Sequence, residues 1–132
     1  MALNRKTGVM FPAARGLRAW KQAVAGYAIQ ALSTTDVRFV AGEALAVGLT
    51  FTYERPGAHF RKIKGGRILS ATAPTMKTST PDIDKLVRAV LDGLVLGGAM
   101  PDDRQIVSLQ AEKCWGTDSY VDVIIRAPRW AT

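Results

Sequence analysis

Between Glu43 and Glu54 the chain alternates without interruption, with Leu45, Val47, Leu49, Phe51 and Tyr53 facing one way and Ala46, Gly48, Thr50 and Thr52 the other. Alternate residues point to opposite sides only in a pleated strand, so this stretch is predicted to be a strand with its large side chains on a core. On either side the period changes to that of a helix. Residues 16–32 place Leu17, Trp20, Val24, Tyr27 or Ala28, and Ile29 or Leu32 at three-and-four spacing, with Trp20 and Tyr27 read as packing residues. A second helix carries Ile83, Val87, Val90 or Leu91, and Leu94, and stops at Gly97-Gly98. Residues 59–71 hold Gly65-Gly66 between two short β-prone pieces and read as a hairpin. Residues 105–114 and 120–126 alternate again and read as an antiparallel hairpin. This order is not the regular strand–helix alternation of a parallel doubly wound sheet. It predicts an α+β fold, a single two-layer domain over residues 1–132 with two main helices packed on a mixed or antiparallel sheet.

A chain of 132 residues, 48% of them hydrophobic, suits one packed core, and no repeat or linker divides it. It has no apolar run of eighteen residues and no continuous apolar stretch at its start, so a soluble, cytoplasmic protein with no membrane partner is expected. Cys114 is the only cysteine and His59 the only histidine. That excludes an intrachain disulfide and a Cys/His zinc cluster, and leaves carboxylates as the ligands of any metal.

The net charge of +7 is unevenly spread. Residues 1–35 carry Arg5, Lys6, Arg15, Arg18 and Lys21 without an acid, and residues 55–81 carry Arg55, Arg61, Lys62, Lys64, Arg67 and Lys77 without one. Residues 82–132 reverse the balance, with eight acids against six bases. A cationic surface ahead of a carboxylate site fits a polyanion partner. Arg61, Lys62, Lys64 and Arg67 on the hairpin are the leading candidates for phosphate contact, with Lys77, Arg104 and Lys113 as further ones. Gly65-Gly66 is not a P-loop, because neither the Gly-Lys-Ser/Thr ending nor a following helix is present.

The acids of residues 81–105 carry the chemistry. Asp82 and Asp84 are two apart, which on a regular helix sends them to different sides. They could share an ion only if Asp82 precedes the helix in extended conformation, as Pro81 and the Thr-Ser-Thr run favour. Asp102-Asp103 follow the return loop, and an oxygen-only set of this kind suits Mg²⁺ or Mn²⁺. Taken singly, each acid reads equally well as a helix cap, a turn residue after Pro101, or, for Asp92, a solvated helix residue.

The blocks Pro81-Asp82-Ile83-Asp84-Lys85-Leu86, Leu91-Asp92-Gly93-Leu94 and Asp102-Asp103-Arg104-Gln105-Ile106-Val107 resemble, in order and spacing, the signature of the RusA-type Holliday-junction resolvases. The resemblance implies a homodimeric, Mg²⁺-dependent endonuclease, commonly phage- or prophage-encoded, that makes paired cuts in four-way junctions during DNA recombination and repair. It carries the metal and catalytic role to Asp82, Asp84 and Asp103. Two features depart from the family. The lysine expected four residues after the second aspartate is here Arg88, with Lys85 as the nearby amine, and an arginine is no general base. The family also opens with a strand that this chain begins too late to supply in full, which leaves the N-terminal edge strand in question.

The mechanism implied is in-line phosphodiester hydrolysis, with Asp82, Asp84 and Asp103 holding one or two divalent ions and Arg88 or Lys85 adding positive charge. The competing reading is a non-catalytic DNA-binding or architectural protein whose acids are only caps and turns. A phosphatase for small phosphate esters would not need two acid-free basic segments. His59, Cys114, Trp115 and Trp130 read as ordinary surface, edge-strand or packing residues.

Overall fold

The computed structural model describes residues 5–10, 17–33 and 39–128, with side chains from residue 21 onward. The elements run β1 (Arg5–Met10), α1 (Leu17–Leu32), β2 (Leu45–Glu54), β3 (Phe60–Ile63), β4 (Gly66–Leu69), α2 (Ile83–Leu96), β5 (Ile106–Gly116) and β6 (Tyr120–Arg126), with 3-10 turns at Gly57–His59 and Asp103–Gln105. Both helices pack on one face of a mixed four-stranded sheet ordered β1-β6-β2-β5, and β3-β4 form a separate two-stranded ribbon. This is the α+β two-layer domain expected.

The alternation in β2 does what its pattern requires. Val47, Leu49 and Phe51 sink into the core with Leu86, Val90 and Leu94 of α2, Val24 and Ala28 of α1, and Val121, Val123 and Ile125 of β6. Phe51, Leu86 and Val90 are fully buried, and burial on that scale stabilises by about 1.5–3 kcal/mol per large apolar side chain. The helix stripes of the sequence reading hold in part. On α1 Val24 and Ala28 are buried, Tyr27 is 39% exposed and therefore not the packing residue expected, and the side chain of Trp20 lies outside the described residues; on α2 Val90 and Leu94 are buried as expected, joined by Leu86, while Ile83 is exposed. The two helices are in close contact. A Cβ on Gly93 would lie 2.7 Å from the Lys21 carbonyl oxygen, and one on Gly97 would lie 2.5 Å from that of Ala25. The glycine pair lets the backbones meet.

Two expectations about the sheet are corrected. β5 and β6 do not pair with each other. Each flanks β2, β5 in parallel and β6 antiparallel, so the short 117–119 link steps across the end of β2. That end is tied into the link, with Arg55 N donating to the Gly116 carbonyl and Glu54 N to Ser119 Oγ. Alternating pattern and a short connector signal adjacency only on average, and here β2, whose core-facing residues are buried while Gly48 and Thr50 on the other face are half-buried, takes the central place. The N-terminal edge strand in question is present, because β1 pairs antiparallel with β6 from Arg5↔Ile125 to Met10↔Tyr120.

Candidate nuclease site

Residues 70–81 carry the chain from the basic ribbon to α2 along the open edge of β5. Trp115 N donates to the Thr75 carbonyl at 2.9 Å and Lys77 N to the Lys113 carbonyl at 3.1 Å, with a bridge between Met76 and Cys114. Thr80-Pro81 is cis. Asp82 is then the extended residue ahead of α2 (φ −67°, ψ 138°), as the sequence required for Asp82 and Asp84 to serve one ion. It stands at the cap position, yet its side chain makes no capping bond. Its one charged contact among the described residues is Lys85, 3.8 Å away with both groups largely in solvent, an arrangement worth about 0–1 kcal/mol. Asp84, in the first turn of α2, is exposed, and its carboxylate makes no hydrogen bond or ion pair among the described residues. Arg88, one turn further on, is likewise exposed and unpaired among them.

The second acid pair divides. Asp102 accepts from Arg104 N at 3.0 Å, sits 3.3 Å from Arg104 Nε, and forms a reciprocal capping box with Gln105. Gln105 is buried, and its amide donates to the carbonyls of Val40 and Glu43 at 2.8 and 2.9 Å while Oε1 accepts from Asp102 N. The last block of the motif is thus partly structural, since its glutamine fastens the 40–43 loop to the start of β5. Asp103 is exposed and takes no part. It lines an open hollow of about 450 Å³ with Lys21, Asp92, Leu96 and Asp102, beyond the C-terminal end of α2.

Asp82 and Asp84 therefore lie at one end of α2 and Asp103 at the other. The fourteen residues of α2 span about 21 Å at 1.5 Å per residue. β5 gives the same separation, because Lys113, whose ammonium reaches the carbonyls next to Asp82, is seven residues or roughly 23 Å along the strand from Ile106. Among the described residues no three acids, cysteines or histidines of one chain converge on a metal position. Asp82 and Asp84 are the residues that would hold such an ion at the start of α2, since Mg²⁺ is commonly held by one or two carboxylates and completed by water and substrate phosphate.

The candidate cations also divide. Arg61, Lys62 and Lys64 are exposed on the ribbon, and Arg67 lies 4.1 Å above the Phe60 ring. Gly65, at φ 88°, makes the tight turn between the ribbon's strands. Lys77 is turned inward, its ammonium 4.6 Å from the Trp115 ring and 5.0 Å from Tyr53, and hydrogen-bonded to Ser79 Oγ. Burial, and then the charge of Lys113, lower its pKa from the usual lysine value. Arg104 is at the far end with Asp102. The base of the ribbon is at the Asp82 end, where the His59 ring meets Trp115 edge-on at 4.9 Å and Arg55 donates to the Pro74 carbonyl at 2.8 Å. Trp130 lies outside the described residues.

No helix among the described residues is long and apolar enough to cross a membrane. Comparison with curated proteins finds no match. The family described as Endodeoxyribonuclease RusA matches over residues 2–126, a span that takes in both acid pairs, the basic ribbon and every strand of the sheet, and the chain belongs to that family.

Proposed function

We propose that this chain is a Mg²⁺-dependent nuclease that hydrolyses phosphodiesters at four-way DNA junctions in recombination and repair, acting as a homodimer. The observation that carries the reading is the pair of unspent carboxylates, Asp82 and Asp84, at the end of the fold where the basic ribbon rises. Caps and turns do not account for them. When bound, a divalent ion supplies Lewis acidity toward the phosphodiester. Arg88 places a permanent positive charge one turn beyond Asp84, where it offsets charge developing on the phosphate, and it moves no proton. Exposed Arg61, Lys62 and Lys64 hold the backbone without reading sequence.

The distance between the acid pairs supports dimerisation. β5 is an edge strand, and residues 106–110 have no partner on their open side among the described residues, while Val107 is 57% and Leu109 46% exposed there. Antiparallel pairing of residues 106–110 of two such edges about a two-fold axis near Ser108 shields Val107 and Leu109 in part and runs the partner's Asp103 turn toward the end of the 75–77 segment that lines Lys113, the end where Asp82 and Asp84 lie. Each site then takes Asp82 and Asp84 from one chain and Asp103 from the other.

The test is cleavage of a synthetic four-way junction beside linear duplex, with and without Mg²⁺. Metal-dependent cutting of the junction alone is expected, and binding without cutting under any divalent ion would establish a purely architectural protein. Mixing Asp82→Asn with Asp103→Asn tests the shared site. Each variant is inactive alone, but a mixed dimer regains one complete site and should nick the junction, whereas sites confined to one chain would leave the mixture inactive.

A further inference from the structure

We propose that Lys113 is a positioning residue for the Asp82–Asp84 pair, an inference that rests on the reading of that pair as the metal site. On β5 it stands beside the fully buried Phe51 of β2, so its side chain rises on the face covered by the helices. Its ammonium donates to the Ser79 carbonyl at 2.6 Å and to the Pro81 carbonyl at 2.7 Å. These two groups bracket Thr80 and immediately precede Asp82. Upstream, the main chain is fixed to β5 through Thr75 and Lys77; downstream, the helical bonds begin with Leu86 N donating to the Asp82 carbonyl. Between these points the Lys113 ammonium is the one tie from the sheet to residues 79–81 among the described residues, and Lys77 holds Ser79 from its side chain.

Charge-assisted bonds to two carbonyls are strong for their kind, and they occupy two of the three N–H groups of the ammonium. A lysine so placed is poorly available to DNA. What it fixes is the register between the sheet and the first residue of the carboxylate pair. Metal ligands have to be held to about 0.5 Å, and losing a group that orients them typically costs about 10–100-fold in metal affinity or activity.

The experiment uses the full chain with Lys113→Ala, Lys113→Arg and Asp82→Asn. Three quantities are read: junction affinity in EDTA against salt, Mn²⁺ affinity without DNA by electron paramagnetic resonance, and single-turnover cleavage against pH. Lys113→Ala should bind the junction with unchanged affinity and salt slope, bind Mn²⁺ about 10–100-fold more weakly, and lose cleavage in proportion. Lys113→Arg should recover both, with the wild-type pH profile, because arginine can donate to the same carbonyls. A shallower salt slope in Lys113→Ala would make the residue a phosphate contact and overturn the proposal. So would wild-type Mn²⁺ affinity in Lys113→Ala, or an arginine variant that binds Mn²⁺ normally but cleaves with an altered pH profile, the mark of a proton-transferring lysine. Should the alanine variant fail to fold, the arginine variant decides, recovery supporting the role and loss of Mn²⁺ affinity refuting it. If Asp82→Asn binds Mn²⁺ and cleaves like the wild type, the site assignment itself fails, whatever Lys113 does.

Discussion

The two ends of α2 each carry a pair of aspartates, and the pairs are used differently. At the far end Asp102 is absorbed by the fold as a cap for its own turn, Gln105 is buried beside it, and Asp103 has no hydrogen bond or ion pair among the described residues. At the near end neither Asp82 nor Asp84 caps the helix, while the backbone ahead of them is tied to β5 by main-chain bonds and the Lys113 ammonium. A held backbone bearing unspent carboxylates is the arrangement a metal site needs, and one that chain stability alone does not explain. The contrast separates acids that fold the protein from acids available to work in it, a distinction their spacing in the sequence does not contain.

The largest effects should follow that division. Asp82→Asn, Asp84→Asn and Asp103→Asn are each expected to lower junction cleavage by about 10²-fold or more, the scale seen when one electrostatic element of a site is removed, with binding retained. Asp102→Ala should keep its activity and lose about 0.5–2 kcal/mol of stability instead, as removal of a cap does. Asp92→Asn should stay active. Single-turnover cleavage and urea unfolding on the same preparations measure both quantities, and a cleavage defect in Asp102→Ala as deep as that of Asp103→Asn would erase the distinction.

Much of this is legible in the sequence. The period of β2 specifies its buried face, and Pro81 with the Thr-Ser-Thr run before it favours the extended conformation of Asp82 that the structure has. What is hidden depends on contacts between distant residues. Nothing local in residues 105–126 says that β2 lies between β5 and β6, because that placement rests on pairings with a strand sixty or more positions away. Gly93 and Gly97, four apart on one helix, are a readable sign of close helix contact that apolar periodicity passes over. The carbonyls that bind Lys113 come from a segment more than thirty positions away, so in the sequence it reads as one more candidate for phosphate contact.

The glycine contact provides the second way to sharpen the comparison. A side chain at Gly97 meets the backbone of Ala25 at 2.5 Å, and backbone cannot rotate away. Gly97→Val should destabilise the fold by about 1–3 kcal/mol or more, read as a lower urea midpoint. The strain falls at the far end of α2, so metal binding by Asp82 and Asp84 should survive wherever the variant remains folded. An unchanged midpoint would mean that α1 and α2 are not in this close contact.

A smaller effect is expected on the ribbon, which belongs to the near end. Replacing Arg61, Lys62, Lys64 and Arg67 together by Ala should weaken junction binding and reduce the log–log salt slope by about 0.9 for each phosphate that is no longer neutralised. Arg104→Ala, which removes a guanidinium already paired with Asp102, should leave the slope closer to wild type. A slope unchanged by the ribbon variant would show that the ribbon makes no phosphate contact.

The smallest effect concerns alkaline pH. Burial pushes the Tyr53 phenol, beneath Lys77 at the near end, up to about 12. The folded chain therefore keeps this proton at pH values where the unfolded chain, with a phenol near its ordinary value of about 10, has released it. The contribution to stability is complete below about pH 10 and is lost as the pH rises toward 12, because ionisation of the phenol then favours the unfolded state. Tyr53→Phe removes the titrating group while keeping the ring over which Lys77 sits. The urea midpoint of the wild type should consequently fall more steeply between pH 10 and 12 than that of Tyr53→Phe, with the two curves parallel below pH 9. Lysines that titrate in the same range are common to both proteins and cancel in the difference. Parallel curves across the whole range would mean that the ring end of Tyr53 is open to water, and that the near end is less closed beneath the 75–81 segment than its hydrogen bonds indicate.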